Sequence, residues 1–262
     1  MIRRLSVIIL IFLIVGQVWA QTKPASPIAP TGDWATNMIR AYVFNEGSGT
    51  SINDLSPVDA NGTVTNTDMW GSDAEGAFIT TDNDPVRVGD IAVGLPGASI
   101  QAFSFYFRAK YVAGENNYFL TTYSSSNIDM AFYDPVGSSE VQFIAYNAVL
   151  TQGACDPANN TLTNGNKYNI IGTYAGDSLR LYVNGVKLAA AVLTGNLSNR
   201  GYTTRLGQQA TLYSNHSFYT LCVWQRVLSA GEIAAIESDP YIMFRASSAT
   251  PNLRRQRRAI WW

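Results

Sequence analysis

Six side chains in this sequence have the chemistry of a sugar-binding surface. Carbohydrate recognition combines an aromatic ring, on which a sugar stacks, with nearby amide and carboxylate groups. The six share the strand parity opposite to the residues expected in the core, and are Tyr106, Arg108, Tyr133, Tyr146, Arg180 and Tyr182. We predict that they line an exposed concave face. The alternative is that tyrosine simply suits a half-buried strand.

Motifs for enzyme catalysis are missing from the sequence. A single histidine, His216, excludes paired-histidine zinc motifs. No phosphate-binding glycine loop, G-x-S-x-G elbow or S-x-x-K motif occurs. His216 follows Tyr213-Ser214-Asn215 and is predicted to lie in a surface loop. We therefore predict no catalytic residues.

The elements that must position the six side chains read as β-strands. Leu179, Leu181 and Val183 alternate with polar or aromatic residues, and Asn184-Gly185 then supplies a two-residue hairpin turn. Further strands recur about every ten residues, separated by turn residues. One of them carries Phe103, Phe105 and Phe107 on a single face. This pattern predicts an all-β, antiparallel β-sandwich.

Three separate motifs resemble the laminin-G-like, concanavalin-A-like jelly-roll family. The central hairpin, 168–185, has its "G-T-Y" and "L-x-L-Y-V-N-G" strings, although Tyr168 stands where tryptophan is usual and Ala175 where aspartate is usual. The segment 44–64 is similar to the family's opening, with "F-N-E-G-S-G-T" followed by "N-D-L-S" and "N-G-T-V". The segment 223–233 is similar to its closing strand and helix. The resemblance covers 38–245 and implies a jelly roll with one short C-terminal helix, predicted from Ala230 to Glu237 and begun by a Ser229–Glu232 capping box.

The resemblance also implies two kinds of site. Many members hold calcium at the sandwich rim, and the loop 53–62 offers Asp54, Asp59 and Asn61 as oxygen ligands. The alternative role of Asp54 is to bond backbone N–H groups of the turn, and Tyr219 stands where the family often has a further aspartate. Other members are glycoside hydrolases with paired carboxylates on one strand, but no predicted strand has the E-x-D-x-x-E spacing.

The termini differ from the body of the chain. Residues 1–20 read as a cleaved signal peptide, with Arg3 and Arg4 before a short apolar run, and the alternative is an uncleaved N-terminal anchor. We expect export to the outside of the cell, with the periplasm or the cell surface as alternatives. Residues 21–32 form a proline-rich linker, 33–245 the jelly-roll domain and 246–262 a basic and aromatic tail. The tail is predicted to be disordered, or alternatively to contact an anionic surface.

Charge and cysteine content narrow the possible partners. Without Arg3, Arg4 and the five arginines from Arg245 onward, 11 basic residues face 19 acidic ones, a net charge of −8. An acidic body argues against nucleic acid as the partner of the domain. Cys155 and Cys222 are the only cysteines, and the sequence leaves their pairing open.

Together these observations predict a secreted, non-catalytic module that binds carbohydrate or another extracellular surface ligand, with calcium as a candidate cofactor. The first alternative is a structural or adhesion protein, such as a surface or virion component, that uses the sandwich for protein–protein contact. The second alternative is a glycoside hydrolase of the same superfamily.

Overall fold

The structure is a computed structural model that describes residues 22–64, 70–71, 75, 77–79, 86–87, 101–113, 117–124, 127–135, 138–157, 162–198, 203–209 and 212–245. The predicted signal peptide and the predicted tail lie outside these residues. No helix in the described part of the chain is long and apolar enough to cross a membrane.

The described residues form two antiparallel sheets and a small separate hairpin. The strands, in chain order, are Met38–Tyr42 (β1), Ser51–Ile52 (β2), Gly62–Val64 (β3), Trp70–Gly71 (β4), Ala77–Ile79 (β5), Val86–Arg87 (β6), Ala102–Lys110 (β7), Asn117–Ser124 (β8), Asn127–Asp134 (β9), Gln142–Tyr146 (β10), Gln152–Cys155 (β11), Lys167–Ala175 (β12), Ser178–Val183 (β13), Val186–Val192 (β14), Thr203–Leu206 (β15), Gln208–Gln209 (β16), Leu212–Tyr213 (β17) and Ser217–Trp224 (β18).

The back sheet has the order β14-β13-β12-β7-β18-β5-β4, with β1 also paired to β18. The front sheet has the order β11-β10-β9-β8-β15-β6-β3-β2, while β16 and β17 pair only with each other. This arrangement confirms the predicted antiparallel sandwich.

The predicted central hairpin is confirmed. β13 turns into β14 at Asn184 and Gly185, whose φ angles are +48° and +72°. Both values lie in the left-handed region that a type I′ turn requires, and asparagine and glycine adopt it at the least cost. β12 and β13 then pair in register from Ile170–Val183 to Tyr174–Leu179.

The core lies between the two sheets and is rich in aromatic rings. Phe103, Phe105 and Phe107 of β7 are fully buried there, as their alternation predicts. Phe132 and Phe143 of the front sheet stack with ring centroids 4.3 Å apart. Gly172 of β12 packs against this stack. No side chain fits at this position, because a Cβ there would lie 2.3 Å from Phe132 Cζ.

A helix covers the outer face of the back sheet. Helix α1 runs over Ala230–Ser238, one residue longer than predicted, and both halves of the Ser229–Glu232 capping box are present. Ile233 and Ile236 of α1 pack with residues 241–244 on β7, β12 and β18. This second apolar cluster covers the middle of the sheet's outer face, over β1, β7, β12 and β18.

The structure settles one prediction and one question that the sequence left open. His216 is fully buried, so the prediction of a surface histidine is wrong. Its ring stacks on Phe119, with centroids 4.2 Å apart, and its Nδ1 accepts the N–H of Val112. Cys155 and Cys222 are free and buried, and they lie on different sheets.

The segment before β1 lies against the sandwich. Lys23 Nζ donates to the carbonyl of Phe44 at 2.8 Å, and Ile28 N donates to that of Phe244 at 3.1 Å. The part of the predicted linker from residue 22 onward is therefore bonded to the domain that follows it.

Candidate ligand-binding face

The six residues predicted to line one face divide between the outer faces of the two sheets. Tyr106 and Arg108 lie on β7 and Arg180 and Tyr182 on β13, both in the back sheet. Tyr133 and Tyr146 lie on β9 and β10 in the front sheet. The prediction of a single face is therefore wrong. Parity along a strand tells which side of its sheet a residue occupies, but not which of the two sheets contains the strand.

Tyr106 cannot contact a ligand, and the prediction that it is exposed is wrong. It is fully buried beneath the segment that follows α1, and its hydroxyl donates to the carbonyl of Pro240 at 3.0 Å. Burial raises the pKa of Tyr106 well above its ordinary value, so the hydroxyl stays protonated. The residue stabilises the contact between sheet and C-terminal segment.

Arg108 takes part in a polar network on the same face. Its Nε donates to Glu75 Oε1 at 3.1 Å, and its Nη1 donates to Asn169 Oδ1 at 3.0 Å. Glu75 also accepts from Lys167 Nζ and from the Tyr241 hydroxyl, each at 2.5 Å. Burial raises the pKa of Glu75, but these bonds and the charge of Arg108 outweigh it, and the net pKa is lowered. The network thus holds an ionised carboxylate with both oxygens occupied.

Arg180 and Tyr182 are half-buried at one side of this face. Tyr182 packs against the apolar cluster under α1, opposite Ile171 in the sheet register. Arg180 pairs with Thr173 in the same register. Neither residue lies on the same sheet as Tyr133 or Tyr146.

The front sheet brings four ligand-type side chains into line, which we name the tyrosine row: Tyr118, Tyr133, Gln142 and Asp156. They come from neighbouring strands, because Tyr118 pairs with Tyr133, Tyr133 with Gln142, and Phe143 with Cys155, one residue before Asp156. Adjacent strands are about 4.8 Å apart, so the row spans about 14 Å.

Hydrogen bonds and ring contacts fix the tyrosine row. The Tyr118 and Tyr133 rings stack with centroids 5.7 Å apart and planes 21° from parallel. The Tyr133 hydroxyl donates to Gln142 Oε1 at 2.7 Å, and Gln142 Nε2 donates to Asp156 Oδ1 at 2.7 Å. A chain of bonds thus orients the polar groups of Tyr133, Gln142 and Asp156 before any ligand binds, which reduces the entropy lost on binding.

The row remains accessible to solvent. Tyr118, Tyr133 and Gln142 are half-buried and Asp156 is exposed. Beside the row, Tyr146 is half-buried and pairs with the exposed Gln152 of β11. Burial raises the pKa of Tyr118, and burial together with the neighbouring Tyr118, Asp156 and Tyr146 raises that of Tyr133. Both hydroxyls are therefore neutral hydrogen-bonding groups at physiological pH.

Tyr118, Gln142 and Asp156 were not predicted as site residues from the sequence. The pairing of β8 with β9 is irregular between Tyr118 and Leu120, so Leu120 reaches the core while Tyr118 stays outside. Strict alternation would put both residues on one side. Gln142, in contrast, shares the parity of Tyr146, and that signal was available in the sequence.

A groove of about 610 Å³ lies between the N-terminal segment and α1, beside Trp34. Its arginine, Arg226, donates to the carbonyls of Asp33 and Thr36, each at 3.0 Å, and forms an ion pair with Glu232 at 2.6 Å. These bonds tie the N-terminal segment to the helix, so the charges of Arg226 and Glu232 are already engaged with each other.

The loop predicted to bind calcium has a different bonding pattern. Asp54 is buried and accepts from the N–H groups of Ala41, Ser56 and Ala60 at 2.9–3.0 Å, and from the Ser56 hydroxyl. Asn61 Oδ1 accepts from the N–H of Asp54, while Asp59 is exposed.

A cation requires oxygen lone pairs, but the oxygens of Asp54 and Asn61 already accept hydrogen bonds, so these two residues do not fit a calcium site in this arrangement, and the exposed Asp59 alone cannot form one. In the described part of the chain, no group of three or more histidine, cysteine, aspartate or glutamate residues could hold a metal. The bonds of Asp54 match the turn-stabilising alternative.

Comparison with known proteins agrees with this architecture. A family model described as the concanavalin A-like lectin/glucanases superfamily matches residues 80–234, more than half of the chain. The chain belongs to this superfamily. No match was found among curated protein sequences.

Two solved structures are similar to this chain in fold. The Trypanosoma rangeli sialidase in complex with sialic acid has a TM-score of 0.57 and 12% identity, over 86% of this chain and 37% of the sialidase. The binding domain of Paraclostridial Mosquitocidal Protein 1 has a TM-score of 0.56 and 12% identity, over 77% of this chain and 52% of that chain. This superfamily member thus spans about a third of the one and half of the other, and the likeness shows the fold alone.

Proposed function

We propose that this chain is a secreted, non-catalytic recognition module that binds carbohydrate through the tyrosine row. The observation that carries the proposal is the bonded line of two stacked tyrosines, an amide and a carboxylate on a solvent-accessible face. Aromatic rings supply the apolar contact for a sugar, and the oriented polar groups bond its hydroxyls.

The two solved structures support the proposal by analogy. One is a sialidase that holds sialic acid, and the other is named as a binding domain. The sialic acid complex is consistent with glycan recognition by a fold of this kind, while the function depends on the site that the fold carries.

The bonding of the acidic residues favours a non-catalytic role. A retaining or inverting glycosidase needs a carboxylic acid whose pKa is raised, next to a second carboxylate. Glu75 and Glu237 both belong to the network around Asn169, which donates to Glu237 Oε2 at 3.1 Å. The pKa of Glu75 is lowered, however, and both of its oxygens accept hydrogen bonds. Such a carboxylate is a poor general acid.

The proposal includes export through the N-terminal segment, 1–20, and contact of the arginine-rich end, 246–262, with an anionic surface. The latter would act as a second, less selective attachment beside the glycan site. It predicts that removing 246–262 weakens adsorption to anionic vesicles and leaves binding to a soluble oligosaccharide unchanged.

A glycan array followed by titration tests the proposed function. We expect the wild-type chain to bind a subset of glycans, Tyr118→Ala to weaken this binding at least tenfold, and Tyr133→Phe to weaken it severalfold because the bond to Gln142 is lost. Tyr182→Phe is the matched control on the opposite face and should bind like the wild type. Equal affinities of all four proteins for the glycan would refute the proposed site.

A second candidate function, adhesion through protein–protein contact, is favoured by one apolar surface. Val149, Leu150 and Val192 are 80%, 55% and 78% exposed. The loop that holds Val149 and Leu150 is bonded to the segment that follows Val192, since Ala148 N donates to Asn196 O at 2.8 Å. Val192 ends β14, the edge strand of the back sheet, where unpaired backbone groups invite strand pairing. Concentration-dependent self-association that Val192→Lys abolishes, without any glycan signal, would favour this function.

A further inference from the structure

We infer that the tyrosine row selects neutral glycans over glycans that carry a carboxylate at the bound unit. This inference rests on the proposed function and adds the ligand class to it. The features that carry it are the hydrogen-bond polarity of the row and the charge of Asp156.

The tyrosine row offers a ligand more hydrogen-bond acceptors than donors. The Tyr133 O–H is used by Gln142 Oε1, and one N–H of Gln142 is used by Asp156 Oδ1. What remains is the Tyr118 hydroxyl, the second N–H of Gln142, the second oxygen of Asp156 and the lone pairs of the Tyr133 oxygen. Acceptors predominate, and a sugar hydroxyl can donate to each of them.

The Asp156 carboxylate sets the orientation of the Gln142 amide. The reverse orientation would place its carbonyl oxygen against the Asp156 carboxylate, and two acceptors without a hydrogen repel each other. The negative charge of Asp156 thus fixes the amide with its nitrogen toward Asp156, which follows β11 at the edge of the front sheet. Asp156 therefore both contacts the ligand and positions Gln142.

The side chains in and beside the tyrosine row carry a net negative charge. None of Tyr118, Tyr133, Gln142, Tyr146, Gln152 and Asp156 is basic, and one is acidic. Basic residues of neighbouring elements include Arg205 and Lys187. Arg205 donates to the Tyr123 hydroxyl at 2.5 Å and lies over its ring, and Lys187, on β14 of the back sheet, acts electrostatically on Cys155, the residue before Asp156.

A ligand carboxylate at the row thus meets the negative charge of Asp156, and none of the row's own side chains is an arginine that could balance it. A like charge about 5 Å from Asp156 lowers affinity about fourfold in bulk water, and more at the lower effective dielectric of a protein surface.

The test uses the full exported chain and an array of matched glycan pairs, in which each neutral oligosaccharide is also present with a terminal sialic acid or uronic acid. We expect the neutral member of each bound pair to bind at least fourfold more tightly at low salt, with the ratio shrinking as salt rises to 0.5 M because screening weakens the repulsion. Asp156→Asn should bring the ratio close to one, mainly by improving the acidic member.

Asp59→Asn is the control, because it removes the same charge from the exposed loop between β2 and β3, at the opposite end of the front sheet from β11. The φ of +54° at this position is one that asparagine also adopts. It should leave the ratio unchanged. Equal or tighter binding of the acidic members by the wild type would overturn the inference and leave the proposed function standing. If no glycan of either kind bound, both would fall. A ratio that Asp59→Asn and Asp156→Asn reduced equally would also overturn the inference, since net charge alone would then explain it.

Discussion

Acidification should destabilise this protein through its only histidine. His216 is fully buried, and desolvation lowers its pKa from 6.5 to about 3. Between these two values the unfolded chain binds a proton that the folded chain refuses, so the free energy of unfolding rises with pH across pH 3 to 6.5 and is fully regained above pH 6.5. Integrated from pH 7 to pH 4, the loss amounts to about 3 kcal/mol.

Urea unfolding at pH 7, 6, 5 and 4 measures this loss. His216→Asn keeps an acceptor near the position of Nδ1, which bonds the N–H of Val112, and His216→Phe keeps an aromatic ring against Phe119. Both variants should be less stable than the wild type at pH 7, by about 1–3 kcal/mol, for a lost contact or an unpaired N–H.

The two variants should, however, lose about 3 kcal/mol less than the wild type between pH 7 and pH 4. Comparing slopes rather than stabilities cancels the titration of the carboxylates, which all three proteins share. Parallel pH profiles for the wild type and both variants would refute the account of His216.

Three further predictions follow from individual contacts. Asp54→Asn should lower the free energy of unfolding by about 2–4 kcal/mol, measured by chemical denaturation, because an amide nitrogen would face N–H donors of Ala41, Ser56 or Ala60; an unchanged midpoint would contradict the bonding described. Millimolar calcium should leave the melting temperature of the wild type unchanged, and a calcium-dependent rise that Asp54→Asn removes would revive the metal site. Gly172→Ala should cost about 1–3 kcal/mol or more, because its Cβ would lie 2.3 Å from Phe132 Cζ; stability within 0.5 kcal/mol of the wild type, a margin typical of surface changes, would show that the core adapts.

Local signals in the sequence predicted the elements of the fold well. The Asn184-Gly185 turn and the Ser229–Glu232 capping box are short-range features whose geometry depends on a few adjacent residues. The alternation of Phe103, Phe105 and Phe107 likewise predicted their burial, because one face of a strand must meet the core.

The candidate site was only partly predictable, because it depends on which strands become neighbours. Tyr106 and Tyr133 are both tyrosines on the side of their strands opposite to the core residues. Tyr106 nevertheless lies under α1, and Tyr133 lies on the open face of the front sheet. Tyr118 was hidden by the irregular pairing of β8. His216 stands in a polar segment, and the rings of Tyr111 and Phe119 that enclose it are distant in sequence.

The most direct test of the central claim is to map a bound glycan by NMR chemical-shift perturbation on the isotope-labelled chain. Titration with an oligosaccharide found on the array should shift the signals of Tyr118, Tyr133, Gln142 and Asp156 and leave those of Trp34 and Tyr182 unmoved. Shifts confined to the groove beside Trp34, or to the face that holds Tyr182, would contradict the assignment of the front sheet as the binding face.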